Sequence, residues 1–173
     1  MTFEETPEYQ QSLAMRPACD AVLCEVWGVD PSCIKRFNKA SELFILDKEF
    51  AIDLQVRLPN GSQVTGQEKA LSWKFYKYRT FTMEFWQNRH TKERGEFFKI
   101  ASQFYLHGYS DASGVRFIEW MVLDILKLID WLKRCGIDAL DKKTRPAGGS
   151  RAAFLPIEYD KIPAEFILKG WRA

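Results

Sequence analysis

The sequence predicts an α/β (α+β) fold, a central mixed β-sheet flanked by helices. Three observations carry this reading. Helical stripes open the chain, a well-signalled hairpin and an alternating strand occupy its middle, and a helix, a strand and a helix close it. The 173 residues, 46% hydrophobic and 14% aromatic, suffice for one globular domain with a sizeable core.

Residues 6–16 and 18–27 read as short helices broken near Pro17 and ended at Gly28, the second with Val22, Leu23, Val26 and Trp27 as its stripe. Asp30-Pro31 supplies an N-cap and a first turn for a helix over 31–40. Glu25 and Glu42 are the carboxylates here that could face inward, against the alternative of solvated helix charges. Residues 43–46 are a short apolar run with strand character, ended by Asp47-Lys48-Glu49.

Residues 50–70, FAIDLQVRLPNGSQVTGQEKA, read as two strands joined at Pro59-Asn60-Gly61. A two-residue Asn60-Gly61 loop would mix Ile52, Leu54 and Val56 with Gln63, Thr65 and Gln67 on one face. A three-residue Pro59-Asn60-Gly61 loop pairs Asp53 with Gln67 and Ala51 with Lys69. Ile52, Leu54, Val56, Leu58 and Val64 then form a core face, and Asp53, Gln55, Arg57, Gln63, Thr65, Gln67 and Lys69 a polar one. The second register is preferred because it segregates the faces.

Beyond the hairpin, Lys74, Lys77 and Arg79 alternate with Trp73, Phe75, Tyr76 and Tyr78, a pattern suited to phosphates and stacked bases. The alternative is an amphipathic segment with its rings turned inward. Residues 80–86 alternate as a strand, with Phe81, Met83 and Phe85 on one face and Glu84 on the other. Glu84 could converge on Asp53 if this strand neighbours the hairpin; otherwise it is an ordinary strand carboxylate. A charged connection over 88–96 adds Arg89, Lys92 and Arg94. Between Lys69 and Lys99 there are eight Lys or Arg against three Glu, a local balance of +5 in a chain of net charge +2.

A helical turn and a strand at 103–107 closed by Gly108, a turn at 110–114 and a strand at 115–123 come next. Asp124 caps a helix over 125–135, with Ile125, Leu128, Ile129 and Leu132 as its buried stripe and Gly136 as its stop. Residues 138–151 form a basic loop, 152–157 a short strand, and 162–171 a final helix.

Four cysteines without a CxxC pair, and two histidines distant from them, argue against structural zinc and for reduced thiols. No apolar run reaches about 18 residues and the N-terminus is acidic, so a soluble, cytoplasmic protein with no membrane partner is expected.

Asp53 followed after thirteen residues by Gln67-Glu68-Lys69 across a turn resembles the PD-(D/E)XK (restriction-endonuclease-like) nuclease superfamily. The frame LDKEFAID…GQEK, with later TMEFW and RGEFFK, looks like its small phage and bacterial members. The likeness spans roughly residues 20–130. It implies a restriction-endonuclease-like core and a metal-dependent endonuclease hydrolysing DNA with magnesium or manganese, in a bacterial or virus-infected cell. Asp53 would be the first metal carboxylate, Gln67 would take the acidic position as in the Mrr-like branch, and Lys69 would be the motif lysine. Ala51 stands where many relatives have glycine.

The residue types suit the reaction, because a hard cation held by carboxylate oxygens activates water and offsets phosphate charge. Gln67 gives only a neutral oxygen. Glu68, through its backbone carbonyl, and Glu84 are therefore further metal candidates, with Glu25 behind them. Lys69 would orient water or stabilise phosphate charge. Lys74, Lys77, Arg79, Arg89, Lys92 and Arg94 are the DNA contacts. Two other readings stand beside this one: a nucleic-acid-binding module without a metal site, and an interaction subunit or homodimer using Trp73, Trp86 and Trp120.

Overall fold

In a computed structural model that describes residues 6–37, 44–146, 148 and 151–172, the chain begins with one helix where two were expected. Thr6 caps it by accepting the Tyr9 N–H at 3.3 Å. Pro7 sits in the first turn, where its missing N–H costs nothing. α1 (Pro7–Trp27) runs through Pro17 to Gly28, whose φ of 64° gives the left-handed cap. One backbone bond is lost at Pro17. The burial of Met15, Cys19, Val22 and Leu23 on either side holds the helix together regardless.

Asp30 does cap the next segment, accepting the Ser32 N–H at 2.9 Å, but only a single 3-10 turn (Pro31–Cys33) follows before β1 (Ile34–Arg36). The helix expected over 31–40 is thus a turn and a strand as far as the described residues go. Residues 38–40 lie outside them, as do Glu42 and Leu43. α2 (Phe44–Phe50) replaces the strand expected at 43–46, a run too short for periodicity to decide its class.

β2 (Leu54–Arg57) and β3 (Gln63–Leu71) pair antiparallel with Leu54 opposite Gly66 and Val56 opposite Val64. This is the register of the three-residue loop. Leu54 and Val56 are fully buried. The Leu58 N–H bonds the Ser62 carbonyl at 2.8 Å, and Asn60 accepts the Ser62 N–H at 3.0 Å.

A 3-10 segment (Trp73–Tyr78) leads to β4 (Thr80–Asn88), whose Phe81, Met83 and Phe85 are buried as the alternation required. Next come β5 (Glu93–Arg94), α3 (Glu96–Lys99), β6 (Phe104–Ser110) and β7 (Phe117–Asp124). Asp124 caps α4 (Ile125–Lys133) by accepting the Lys127 N–H at 3.2 Å, and the four stripe residues of α4 are buried. α5 (Ile137–Asp141), β8 (Arg145–Pro146) and β9 (Ala153–Glu158) follow. The chain then forms β10 (Ile167–Arg172) in place of the expected final helix. Gly170 is a poor helix former, and the open flank of β7 offers ladder partners that an isolated helix would not have.

The strands make two sheets. One is six-stranded in the order β1-β2-β3-β6-β7-β10, antiparallel except where β3 and β6 run parallel. The other is antiparallel, in the order β5-β4-β9-β8. β4 is therefore not a neighbour of the hairpin in its sheet, a correction to the single-sheet reading. The fold is mixed α and β, with a mixed sheet flanked by helices. α1 packs on one face of the larger sheet through Leu54, Val56, Phe104 and Leu106. On the other face Tyr105, Tyr109 and Leu123 share a core with Phe81, Met83, Phe85 and the stripe of α4. Among the described residues, no helix is long and apolar enough to cross a membrane.

The β3–β6 contact allows no side chain at Gly66. A Cβ there would overlap the ring of Phe104, its partner in the parallel ladder. Gly66→Ala is expected to destabilise the protein by about 1–3 kcal/mol. Combined with Phe104→Ala, it should cost clearly less than the sum of the two single changes, as read by denaturant unfolding. Strict additivity would contradict this packing.

Candidate functional site

β3 lies between β2 and β6, and its backbone groups alternate in direction. The Thr65 carbonyl accepts the Gln103 N–H on the β6 side at 2.9 Å, and the Gly66 carbonyl accepts the Asp53 N–H on the β2 side at 2.9 Å. The N–H and carbonyl of Glu68 therefore also face the β2 side. There β2 has already ended, and the Asp53 carboxylate accepts the Glu68 N–H at 3.1 Å. This bond fixes Asp53 beside Gln67. Side chains alternate as well: Glu68 and Ala70 point to α1, Gln67, Lys69 and Leu71 to the second sheet.

Gln67, Lys69 and Glu84 line one cavity of about 320 Å³ together with Asp47, Glu96 and Lys99. Sequence reasoning missed the last three. Asp47 comes from α2 and Glu96 and Lys99 from α3, and only tertiary packing brings these short helices to β3. Lys69 Nζ donates to the Thr82 carbonyl at 3.3 Å and lies 4.7 Å from the centre of the Phe154 ring. Ala51, on the cavity rim, has φ 47°, the left-handed conformation that glycine takes at no steric cost. Bonds from the Ala51 N–H to Asp47 O at 3.1 Å and from Ser102 Oγ to Ala51 O at 2.5 Å hold it there.

Electrostatically the site is acid-rich. Burial pushes the Asp53 carboxyl well above the usual carboxylate range; the Glu68 N–H opposes this, and the charges of Asp47, Glu68 and Glu96 add to it. Burial also raises Asp47, against a hydrogen bond with Asp53. It raises Glu96, against the charge of Lys69 and the Tyr105 hydroxyl. Glu84 is raised by burial and then by Glu96. Burial lowers Lys69, with Glu96 and Glu84 pulling the other way. Two oxygens, Gln67 Oε1 and Glu96 Oε1, are closed off from solvent and have no hydrogen-bond partner among the described residues. Also among those residues, no three His, Cys, Asp or Glu side chains are gathered as a metal-holding group. A cation here would rest on fewer carboxylates, completed by neutral oxygens.

Behind Lys69, His107 is its partner in the parallel ladder and is fully buried. Its Nδ1 is 2.6 Å from the Tyr159 hydroxyl. Burial, then the Lys69 charge, keeps the imidazole well below its ordinary pKa and so neutral.

The other expected residues are dispersed. Both Glu68 carboxylate oxygens are held by Arg36, at 2.8 and 2.9 Å, and Arg36 also pairs with Asp20 at 2.7 Å. The Glu68 side chain is thus turned to α1, and only its backbone N–H and carbonyl face the Asp53 side. Glu25 pairs with Lys169 at 2.7 Å and does not line the cavity. Glu42 lies outside the described residues. Arg79 is held by Glu119 at 2.8 and 2.9 Å and by Asp160 at 3.1 Å. Lys92 pairs with Asp141 at 2.7 Å over the Trp86 ring, and Arg94 packs on Phe98. Lys74, Lys77 and Arg89 are exposed. So are Trp73, Phe75 and Tyr78, at 46%, 53% and 59%, so three of the four rings of that segment do not turn inward.

No family model, curated protein or solved structure matches the chain.

The raised Asp53 carboxyl has a consequence for stability. Its folded form holds a proton more tightly than the unfolded chain, whose value lies near 3.8. Its contribution is present below that value and is lost as pH rises through the folded one. Asp53→Asn keeps an acceptor for the Glu68 N–H without the charge. Without added metal it should melt above the parent at about pH 7, the gap closing toward about pH 4. A lower melting point at neutral pH would contradict the burial-driven shift of Asp53.

Proposed function

We propose that this protein is a divalent-cation-dependent endonuclease that hydrolyses DNA at Asp53, Gln67 and Lys69, on a restriction-endonuclease-like core as the resemblance implies. The observation that carries this reading is the Oε1 of Gln67, closed off from solvent and without a hydrogen-bond partner among the described residues. Gln67 lines the cavity that holds Lys69, one position along β3 from the N–H that fixes Asp53.

The donor chemistry fits a hard cation. Three carboxyls, those of Asp47, Glu84 and Glu96, line the cavity with two amines, Lys69 and Lys99, and Asp53 lies beside it; burial is the main cause that raises all four carboxyls. Asp53, the Gln67 amide oxygen and the Glu68 carbonyl would hold magnesium or manganese. When bound, the cation supplies water acidified toward neutral pH and neutralises phosphate charge. The Thr82 carbonyl and the Phe154 ring hold the Lys69 amine in place. From there it would orient the attacking water or donate to a phosphate oxygen, and its lowered pKa eases proton exchange. Lys74 and Lys77, with the exposed Trp73, Phe75 and Tyr78, supply cations and stacking rings for DNA just past the end of β3. With a DNA substrate, the reading that goes with this proposal is a cytoplasmic protein of a bacterial or virus-infected cell.

A second reading, a nucleic-acid-binding module without cleavage, draws on the neutral Gln67 and on the Lys69 amine being already bonded to backbone. Plasmid or branched DNA incubated with magnesium or manganese separates the two. Cleavage should appear with metal and vanish with a chelator. Asp53→Asn and Lys69→Ala should each lower it by about 10²–10³-fold while DNA binding persists. Cleavage that survives both changes would refute the assignment, and binding without cleavage would favour the module.

The basic residues should separate in a salt titration of DNA affinity. Lys74→Ala with Lys77→Ala is expected to reduce the slope of log affinity against log salt by about 1.8. Arg79→Ala, whose guanidinium is already paired, should act mainly on stability. An unchanged slope in the double variant would remove this face from the contact.

A further inference from the structure

Gln67 leaves the site one negative charge short of a carboxylate pair, and the fold offers several acids that could supply it. Glu68 lines the cavity, but Arg36 holds both oxygens of its carboxylate; Glu25 is paired with Lys169 and does not line it. Asp47 is hydrogen-bonded to Asp53. That leaves Glu84 and Glu96. We propose that Glu96, in the first turn of α3, is the charged ligand that joins Asp53 and Gln67 around a divalent cation. This rests on the cation-dependent reading of the site.

Two observations favour Glu96 over Glu84. The Glu96 carboxylate is met by the Glu84 N–H, 3.4 Å from Oε2, and by the Tyr105 hydroxyl, while its Oε1 is closed off from solvent and unpartnered among the described residues, as is Oε1 of Gln67, which lines the same cavity. A solvent-excluded oxygen acceptor without a donor is costly unless something positive meets it. Secondly, α3 is pressed onto β4. A Cβ on Gly95 would stand 2.7 Å from the Glu84 carbonyl oxygen and 2.8 Å from Glu84 Cγ, so glycine alone permits this approach. The Gly95 N–H bonds the Phe85 carbonyl at 3.0 Å. The rings of Phe97 and Phe98 pack on Phe85 at 4.9 and 4.8 Å, which fixes the helix and the carboxylate it carries. Among the described residues no ion pair joins Lys69 to Glu96 or to Glu84, so neither acid is simply the bound counter-ion of that amine.

Calorimetric titration of manganese into the full chain tests this without reference to cleavage. Four proteins are compared, each first checked for a native melting transition: the parent, Glu96→Gln, Glu96→Asp and Glu84→Gln. Glu96→Gln keeps the size and the acceptor for the Glu84 N–H but loses the charge. Glu96→Asp keeps the charge but withdraws it by one methylene. Both should weaken manganese binding by about tenfold or more, and Glu84→Gln by less than about threefold. Should Glu96→Gln fold poorly, Glu96→Asp decides alone. Parent-like affinity in a folded Glu96 variant overturns the role of Glu96 while leaving the cation site standing. Equal losses in Glu84→Gln and Glu96→Gln overturn the choice between them. A parent that takes up no manganese overturns this inference together with the proposed function.

Discussion

The hydrogen bond from the Glu68 N–H to the Asp53 carboxylate closes the β2–β3 ladder where β2 ends. An N–H left there would be an unsatisfied donor in a partly buried place. Asp53 supplies the acceptor and in return is fixed one strand over from Gln67 and Lys69. Because the same alternation turns Glu68 toward Arg36 and α1, the acid, the amide and the amine fall on the opposite face. There Lys69 meets Thr82 and Phe154 of the second sheet, and burial raises the Asp53 carboxyl while it lowers the lysine. Site polarity and fold topology thus share one origin.

What the sequence could reveal was local. The hairpin register followed from alternation and from the Pro59-Asn60-Gly61 turn. The faces of β4 and α4 followed from their periods of 2 and 3.6. Long-range facts were hidden. Nothing in residues 80–88 says that their partner is β9, some seventy residues later, and not the adjacent hairpin. Pro17 looked like a break because its cost is local while the burial that outweighs it is tertiary. The last segment was read as a helix for the same reason, since the flank of β7 that makes it a strand lies elsewhere in the chain.

The site was legible to a similar depth. Asp53, Gln67 and Lys69 were singled out because they share a hairpin; Gln67 and Lys69 line one cavity, and Asp53 is bonded to the N–H of Glu68 between them. Glu84 was found as a polar residue on an alternating strand, though it reaches the cavity from another sheet. Asp47 and Glu96 carried no signal beyond being acids in short helices. Gly95 was the available hint, a glycine ahead of an acid and two phenylalanines, but its meaning depends on the Glu84 backbone it touches. The basic run divided for an equally non-local reason: Arg79 and Lys92 met acids from distant segments, whereas Lys74 and Lys77 met none among the described residues.

The central claim is that the unpartnered oxygens around Lys69 are the frame of a cation site and not a quirk of packing. Crystals grown with manganese and measured at a wavelength where manganese scatters anomalously would test it most directly. The claim predicts an anomalous peak about 2.0–2.3 Å from a carboxylate oxygen of Asp53, Gln67 Oε1 and a carboxylate oxygen of Glu96. A map with no peak in that cavity, the three side chains well ordered, would contradict it.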